Sequence, residues 1–138
     1  MNMRDKNTSE ILSYESDLDA LIRSHREELQ RLRELSYSLS GNGTSQNASR
    51  ESHDAPYVNI VNKIITFEKQ IEREINELID LKIKIHNAIG SIKDTTEKLV
   101  LRYKYIEKKS EEEIAEIMSY SPKQIGRIHS DALRKLKL

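Results

Sequence analysis

A chain of 138 residues, one-third of them charged, with a mean hydropathy of −0.71 and no cysteine, can bury one modest core and has no disulfide to reinforce it. The apolar set is dominated by Ile and Leu, with no Trp and a single Phe, Phe67. That suits narrow helix seams better than a thick sandwich core, so the expected fold class is all-α. The start MNMRDKNTSE is too polar for a signal h-region, and no run approaches the roughly 18 apolar residues of a membrane span. The expectation is a soluble, cytoplasmic protein with no membrane partner.

The zero net charge is unevenly placed. Residues 1–93 carry 13 basic and 15 acidic side chains, while residues 94–138 carry 10 and 8. Within the second block, Lys98–Lys109 is net +4, Ser110–Met118 is net −4 through Glu111, Glu112, Glu113 and Glu116, and Ser119–Leu138 is net +4. Charge alone supports a solvated surface as well as a nucleic-acid face.

From Ser9 to Ser40, Ile11, Leu18, Leu21, Ile22, Leu29, Leu32, Leu35 and Leu39 fall at steps of three, four and seven, which predicts an amphipathic helix over residues 1–39. Residues 40–55, SGNGTSQNASRESHDA, hold no apolar side chain larger than Ala and read as a flexible linker. Pro56 suits the first turn of a second helix, residues 56–93. Its seam, Val61, Ile64, Ile71, Ile75, Leu78, Ile85, Ile89 and Ile92, is interrupted by Glu68 and Lys82, and Ile60, Ile65, Phe67, Ile79, Leu81 and Ile83 widen the stripe. The cover is either the first helix folded back as a hairpin or a second copy of the chain in a homodimer, and the pattern leaves both open. Gly90 ends or loosens this helix.

Residues 94–138 contain three helix starts: Asp94 followed by Glu97, then Ser110 with Glu113 and Ser121 with Gln124 as capping boxes, the last reinforced by Pro122. They predict helices over about 94–108, 110–118 and 121–136. Only Ser119 and Tyr120 separate the last two, so these must cross steeply, as in a helix-turn-helix. Ile114, Ala115 and Met118, then Ile125, Ile128, Ala132, Leu133 and Leu136, supply the facing surfaces. Leu99, Val100, Tyr103 and Ile106 close a three-helix core, with Tyr120 under the turn. The outer face of the last helix would present Lys123, Gln124, Arg127, Ser130 and Arg134 to a major groove, with Lys135 and Lys137 near phosphates. Ser121 at the helix start, and Lys104, Lys108 and Lys109, are further candidate phosphate contacts.

The stretch KLVLRYKYIEKKSEEEIAEIMSYSPKQIGRIHSDALRKL, within Glu97 to Leu136, resembles the C-terminal DNA-binding region 4 of sigma-70 factors. It resembles more closely the small phage proteins of the ArpU/RinA type, which activate late phage genes. The pieces that carry the likeness are LRYKY, EEEIAEIMSYSPKQIGRIH and ALRKL. The resemblance implies a phage-encoded transcription regulator whose partners are double-stranded DNA and RNA polymerase. Two departures stand out: Ser119 occupies a turn position where many such motifs have Gly, and Gly126 sits on the recognition helix where sigma factors carry a longer polar side chain. A helix-interior Gly costs roughly 1 kcal/mol against Ala, and close backbone approach is one reason to keep it.

Enzyme chemistry is not expected. His25, His53, His86 and His129 are far apart and lack ligand spacing, so neither metal nor cofactor is expected, and Gly41 and Gly43 lack the lysine and helix signal of a phosphate loop. Glu111 and Glu112 are explained by the dipole at a helix start. Two other readings remain: a small terminase subunit recognising packaging DNA, and a helical protein-interaction module without DNA binding.

Overall fold

The computed structural model describes the backbone of residues 3–42 and 50–138, with side chains over residues 7–39 and 56–138. Every regular element among them is helical: α1 (Met3–Asn42), α2 (Arg50–Gly90), α3 (Thr95–Leu101) running into a π-helical turn (Arg102–Ile106), α4 (Glu111–Met118) and α5 (Pro122–Lys135). The fold is all-α, as expected. α2 begins before the predicted linker has ended, so Pro56 stands inside the helix and not in its first turn, where α2 forgoes one backbone hydrogen bond. Residues 43–49 of that linker lie outside the described residues. α2 ends at Gly90.

The chain divides into two compact units, residues 18–77, and residues 1–17 with 78–138. In the first, α1 and α2 are antiparallel partners within one chain, the hairpin solution of the two left open. His25 Nδ1 lies 2.8 Å from Glu74 Oε1, and Arg33 donates to Glu68 at 3.0 Å. The His25 ring also meets Phe67 edge-on. Ile22, Leu29 and Ser36, at steps of seven, are the buried column of α1 in this unit, with Leu18 beside it. Leu21 and Leu35, which the apolar pattern counted inward, are 46% and 60% exposed. Each stands one residue before that column, a turn of about 100° away from it.

In the second unit the carboxylate of Glu15 is almost fully buried and held by two lysines, Lys82 at 2.8 Å and Lys108 at 2.5 Å. Lys82 and Glu68 are the two charged interruptions of the α2 seam, and both prove to be ion-pair partners of α1. The backbone of Lys108 is left-handed, with φ 57°. That conformation follows the π turn, which is closed by Glu107 N–H to Arg102 C=O and Lys109 N–H to Tyr103 C=O, both 2.9 Å.

Two apolar clusters organise this unit. Val100, Ile114, Ala115 and Ile125 form one, with Tyr103, Met118 and Ile128 at its edge. Leu12, Ile85, Ile89, Ile92, Leu101, Ala132 and Leu136 form the other, flanked by Tyr105, Ile106 and Leu133. The unit that holds the C-terminal helices therefore also contains the first turns of α1 and the end of α2. Thr8 extends this contact by donating its hydroxyl to the Leu136 carbonyl at 3.4 Å. Two expectations fail here. Leu99 and Tyr120 are 37% and 38% exposed, and Leu101, not counted inward, is fully buried. α3 buries neighbouring residues on two sides, Val100 in the first cluster and Leu101 in the second, so a single apolar face does not describe it.

Glu15→Ala should lower the unfolding free energy by about 1–3 kcal/mol, because both lysines lose the carboxylate that holds them. Arg33→Ala, at an exposed pair, should cost under about 1 kcal/mol. Urea titration of both variants followed by circular dichroism makes the comparison.

Candidate nucleic-acid interface

α4 starts at Ser110, whose hydroxyl accepts from Glu113 N–H at 3.2 Å while Glu113 accepts from Ser110 N–H at 3.1 Å. The backbone and side-chain bonds from Ser110 hold the Glu113 carboxyl below its ordinary range. Asp94 caps α3 singly, accepting from Glu97 N–H at 3.0 Å. α4 ends in a paired closure: Tyr120 N–H reaches the Ala115 carbonyl at 3.0 Å and Ser119 N–H the Glu116 carbonyl at 3.4 Å. This closure puts its pivot in the left-handed region, and Ser119 is there at φ 61°. Ser119 therefore does occupy the conformation that Gly would adopt without strain.

Three residues later α5 begins with the second reciprocal box, Gln124 N–H to Ser121 Oγ at 3.1 Å and Ser121 N–H to Gln124 Oε1 at 2.9 Å. Pro122 fills the first turn. Ile125 is fully buried beside Ile114 and Ala115, so the two helices meet directly after the short turn. α4 and α5 together have helix-turn-helix geometry.

The nine residues assigned to DNA from sequence are not equivalent. Lys123, Arg127 and Ser130 are exposed on α5, and Lys123 and Arg127 have no hydrogen-bond or ion-pair partner among the described residues. Ser121 and Gln124 are exposed but bond to each other in the cap, so the paired bonds of Gln124 to an adenine edge would require the cap to open. Arg134 pairs with Asp131 one turn earlier, a spacing legible in the sequence. Lys104 meets Glu111 at 3.5 Å and Lys108 is held by Glu15. Lys109 is half-buried. Lys135, expected near phosphates, instead bonds both Glu97 oxygens at 2.9 and 3.0 Å, and that bond raises its pKa. Glu111, which the sequence assigned only to the helix dipole, and Asp131, which the charge pattern did not single out, line a shallow, open recess of about 570 Å³ on α5 together with Lys123, Gly126, Arg127 and Ser130.

Behind this face, Tyr105 from the π turn lies 2.6 Å from His129 Nε2. Burial, and then the nearby Glu111, push the Tyr105 hydroxyl up to about 12. Burial, and then Lys104, lower the His129 pKa, against a smaller opposing effect of Glu111. Both effects favour the neutral pair, with the Tyr105 hydroxyl donating to Nε2 and the imidazole proton on Nδ1. This contact ties α5 to the π turn. His25 pairs with Glu74, and His86 Nδ1 lies 3.3 Å from Arg102. The His53 side chain lies outside those described. No helix among the described residues is long and apolar enough to cross a membrane.

The family described as a protein of unknown function, DUF1492, matches residues 35–137. The chain belongs to that family. The matched region takes in α2, the π turn and α3 to α5. The buried Thr8, Leu12 and Glu15 that α1 contributes lie before it. A curated relative, "Bacteriocin UviA" of Clostridium perfringens, is 38% identical over 66 residues, covering 48% of this chain and 35% of that protein. The chain thus spans about a third of that relative's length. No solved structure matches.

The left-handed turn and the half-buried His129 can each be tested. Ser119→Gly should stabilise the protein by about 1 kcal/mol, since Gly adopts the left-handed pivot without the Cβ penalty, and a rise in thermal midpoint would show it. For His129, the folded pKa lies below the unfolded value near 6.5, so acid favours the unfolded chain, which binds the extra proton. Its contribution is complete above that value and is lost as pH falls through the lowered folded pKa. Melting from pH 7.5 to 5 should therefore show a smaller acid loss in His129→Gln than in wild type.

Proposed function

We propose that this chain is a sequence-specific DNA-binding transcription regulator, with no catalytic role, that docks α5 in the major groove of promoter DNA. The observation that carries the reading is the α4-turn-α5 geometry, together with Lys123 and Arg127 standing unpartnered on the outer face of its second helix. An arginine can bond the O6 and N7 edge of guanine in pairs, and lysine can serve the same edge or a phosphate. The likeness of residues 97–136 to the ArpU/RinA-type phage regulators and to sigma-70 region 4 supports the same assignment. The family carries no stated activity, and the bacteriocin name belongs to a protein of which this chain spans about a third. Neither contributes to the reading.

α4 turns Glu112, Glu116 and the 49% exposed Ile117 outward. In this proposal that surface meets RNA polymerase while α5 holds the duplex. The same surface favours a second reading, a protein-interaction module whose basic face is idle. Homodimerisation belongs to the proposal as a means of adding a second half-site.

The decisive experiment selects bound duplexes from random DNA, with and without RNA polymerase, and then tests Lys123→Ala with Arg127→Ala. The double variant should lose specific binding while keeping wild-type helicity and melting. Wild-type affinity in the double variant would show α5 to be misassigned. The interaction-module reading predicts no DNA shift at low salt.

A further inference from the structure

Gly126 occupies the middle of α5, where glycine is the least favourable residue apart from proline. Nothing inside the protein requires it. No glycine among the described residues has a positive φ, and a Cβ built at Gly126 would meet only Glu111 Oε2, at 3.9 Å, an ordinary contact. Neither backbone conformation nor packing accounts for the missing side chain.

Its effect is on the outside. Gly126 lines the recess of about 570 Å³ on the α5 face, with Lys123 and Arg127 beside it and the carboxylates of Glu111 and Asp131 in its walls. Resting on the DNA-binding reading above, we infer that Gly126 is the point where a base pair's major-groove edge comes closest to α5, with the recess admitting the exocyclic amine of a cytosine or adenine. The carboxylates decide between a base edge and a phosphate. Each gives one oxygen to a cation, Lys104 or Arg134, and has a second oxygen that can accept a hydrogen bond from an exocyclic amine, where a phosphate has no hydrogen to offer. The adjacent cations then hold the surrounding phosphates or a neighbouring guanine. A methyl group at Gly126 would keep the helix backbone from the groove floor by the width of that group.

The test is Gly126→Ala, measured on a duplex selected for binding and on a scrambled duplex of the same length. Helix propensity predicts that the variant melts higher, by roughly 2–4 °C, so lost binding cannot be attributed to lost folding. Its affinity for the selected duplex should fall at least about tenfold, the scale of one base contact, with binding to the scrambled duplex unchanged. Affinity for the selected duplex within about twofold of wild type, or equal losses on both duplexes, overturns the inference. If Lys123→Ala with Arg127→Ala still abolishes binding in that case, the DNA-binding reading survives without Gly126. If the wild-type protein prefers no duplex over the scrambled one at low salt, the reading itself fails and Gly126 falls with it.

Discussion

The C-terminal helices depend on two adjacent side chains of α3, Val100 and Leu101, both fully buried and each committed to a different cluster. Consecutive helix residues point about 100° apart, so burying both requires packing on two sides of one short helix. α5 meets this requirement along its length, with Ile125 and Ile128 in the cluster of Val100 and Ala132, Leu133 and Leu136 in that of Leu101. The π turn serves the same end, because Tyr103 joins the first cluster while Tyr105 and Ile106 join the second. A helix held at both ends by separate clusters, and tied near its middle by Tyr105 and His129, presents its outer residues from a fixed backbone. Groove recognition needs that rigidity, since hydrogen bonds to base edges tolerate little misplacement.

Much of this was legible in the sequence because its devices are local. Capping boxes at Ser110 and Ser121 announce themselves by three-residue spacing, and both are present. The short turn between Met118 and Pro122 requires a steep crossing whatever surrounds it. Non-local devices stayed hidden. Glu15, Thr8 and Ser36 are buried on α1, yet polar residues break an apolar count, and only the remote Lys82, Lys108 and Leu136 explain the first two. Leu101 stayed hidden for a related reason, since a single-face count stops at Val100 and only the remote Leu12, Ile85 and Ile89 give Leu101 its cover. Ser119 was placed correctly in the turn, but only the closing hydrogen bonds of α4 reveal that it must be left-handed.

Charge is where the sequence count and the fold diverge most. Ser119–Leu138 holds five cations, Lys123, Arg127, Arg134, Lys135 and Lys137, and two of them are held by carboxylates. Arg134 pairs with Asp131 beside it, and Lys135 with Glu97 of α3. Lys104 and Lys108, in the preceding basic run, are held by Glu111 and Glu15. The pairs of Lys135, Lys104 and Lys108 link different elements, and a cation already bonded to a carboxylate must give up that bond before it can meet a phosphate. On the α5 face Lys123 and Arg127 remain, and Lys137 is exposed just beyond the end of the helix.

The consequence for the proposed DNA binding can be scaled. Each phosphate neutralised on duplex DNA contributes about −0.9 to the slope of log affinity against log salt, so two contacts imply about a tenfold loss between 50 and 200 mM salt, where four would imply over a hundredfold. A single unit with so few available cations gains little from non-specific attraction. A larger share of its discrimination must then come from the fit of α5 to base edges. Under the proposed function, that shifts the weight from the basic patch, the feature most visible in composition, to the backbone geometry around Gly126, and a second half-site or a polymerase contact would supply the remaining affinity.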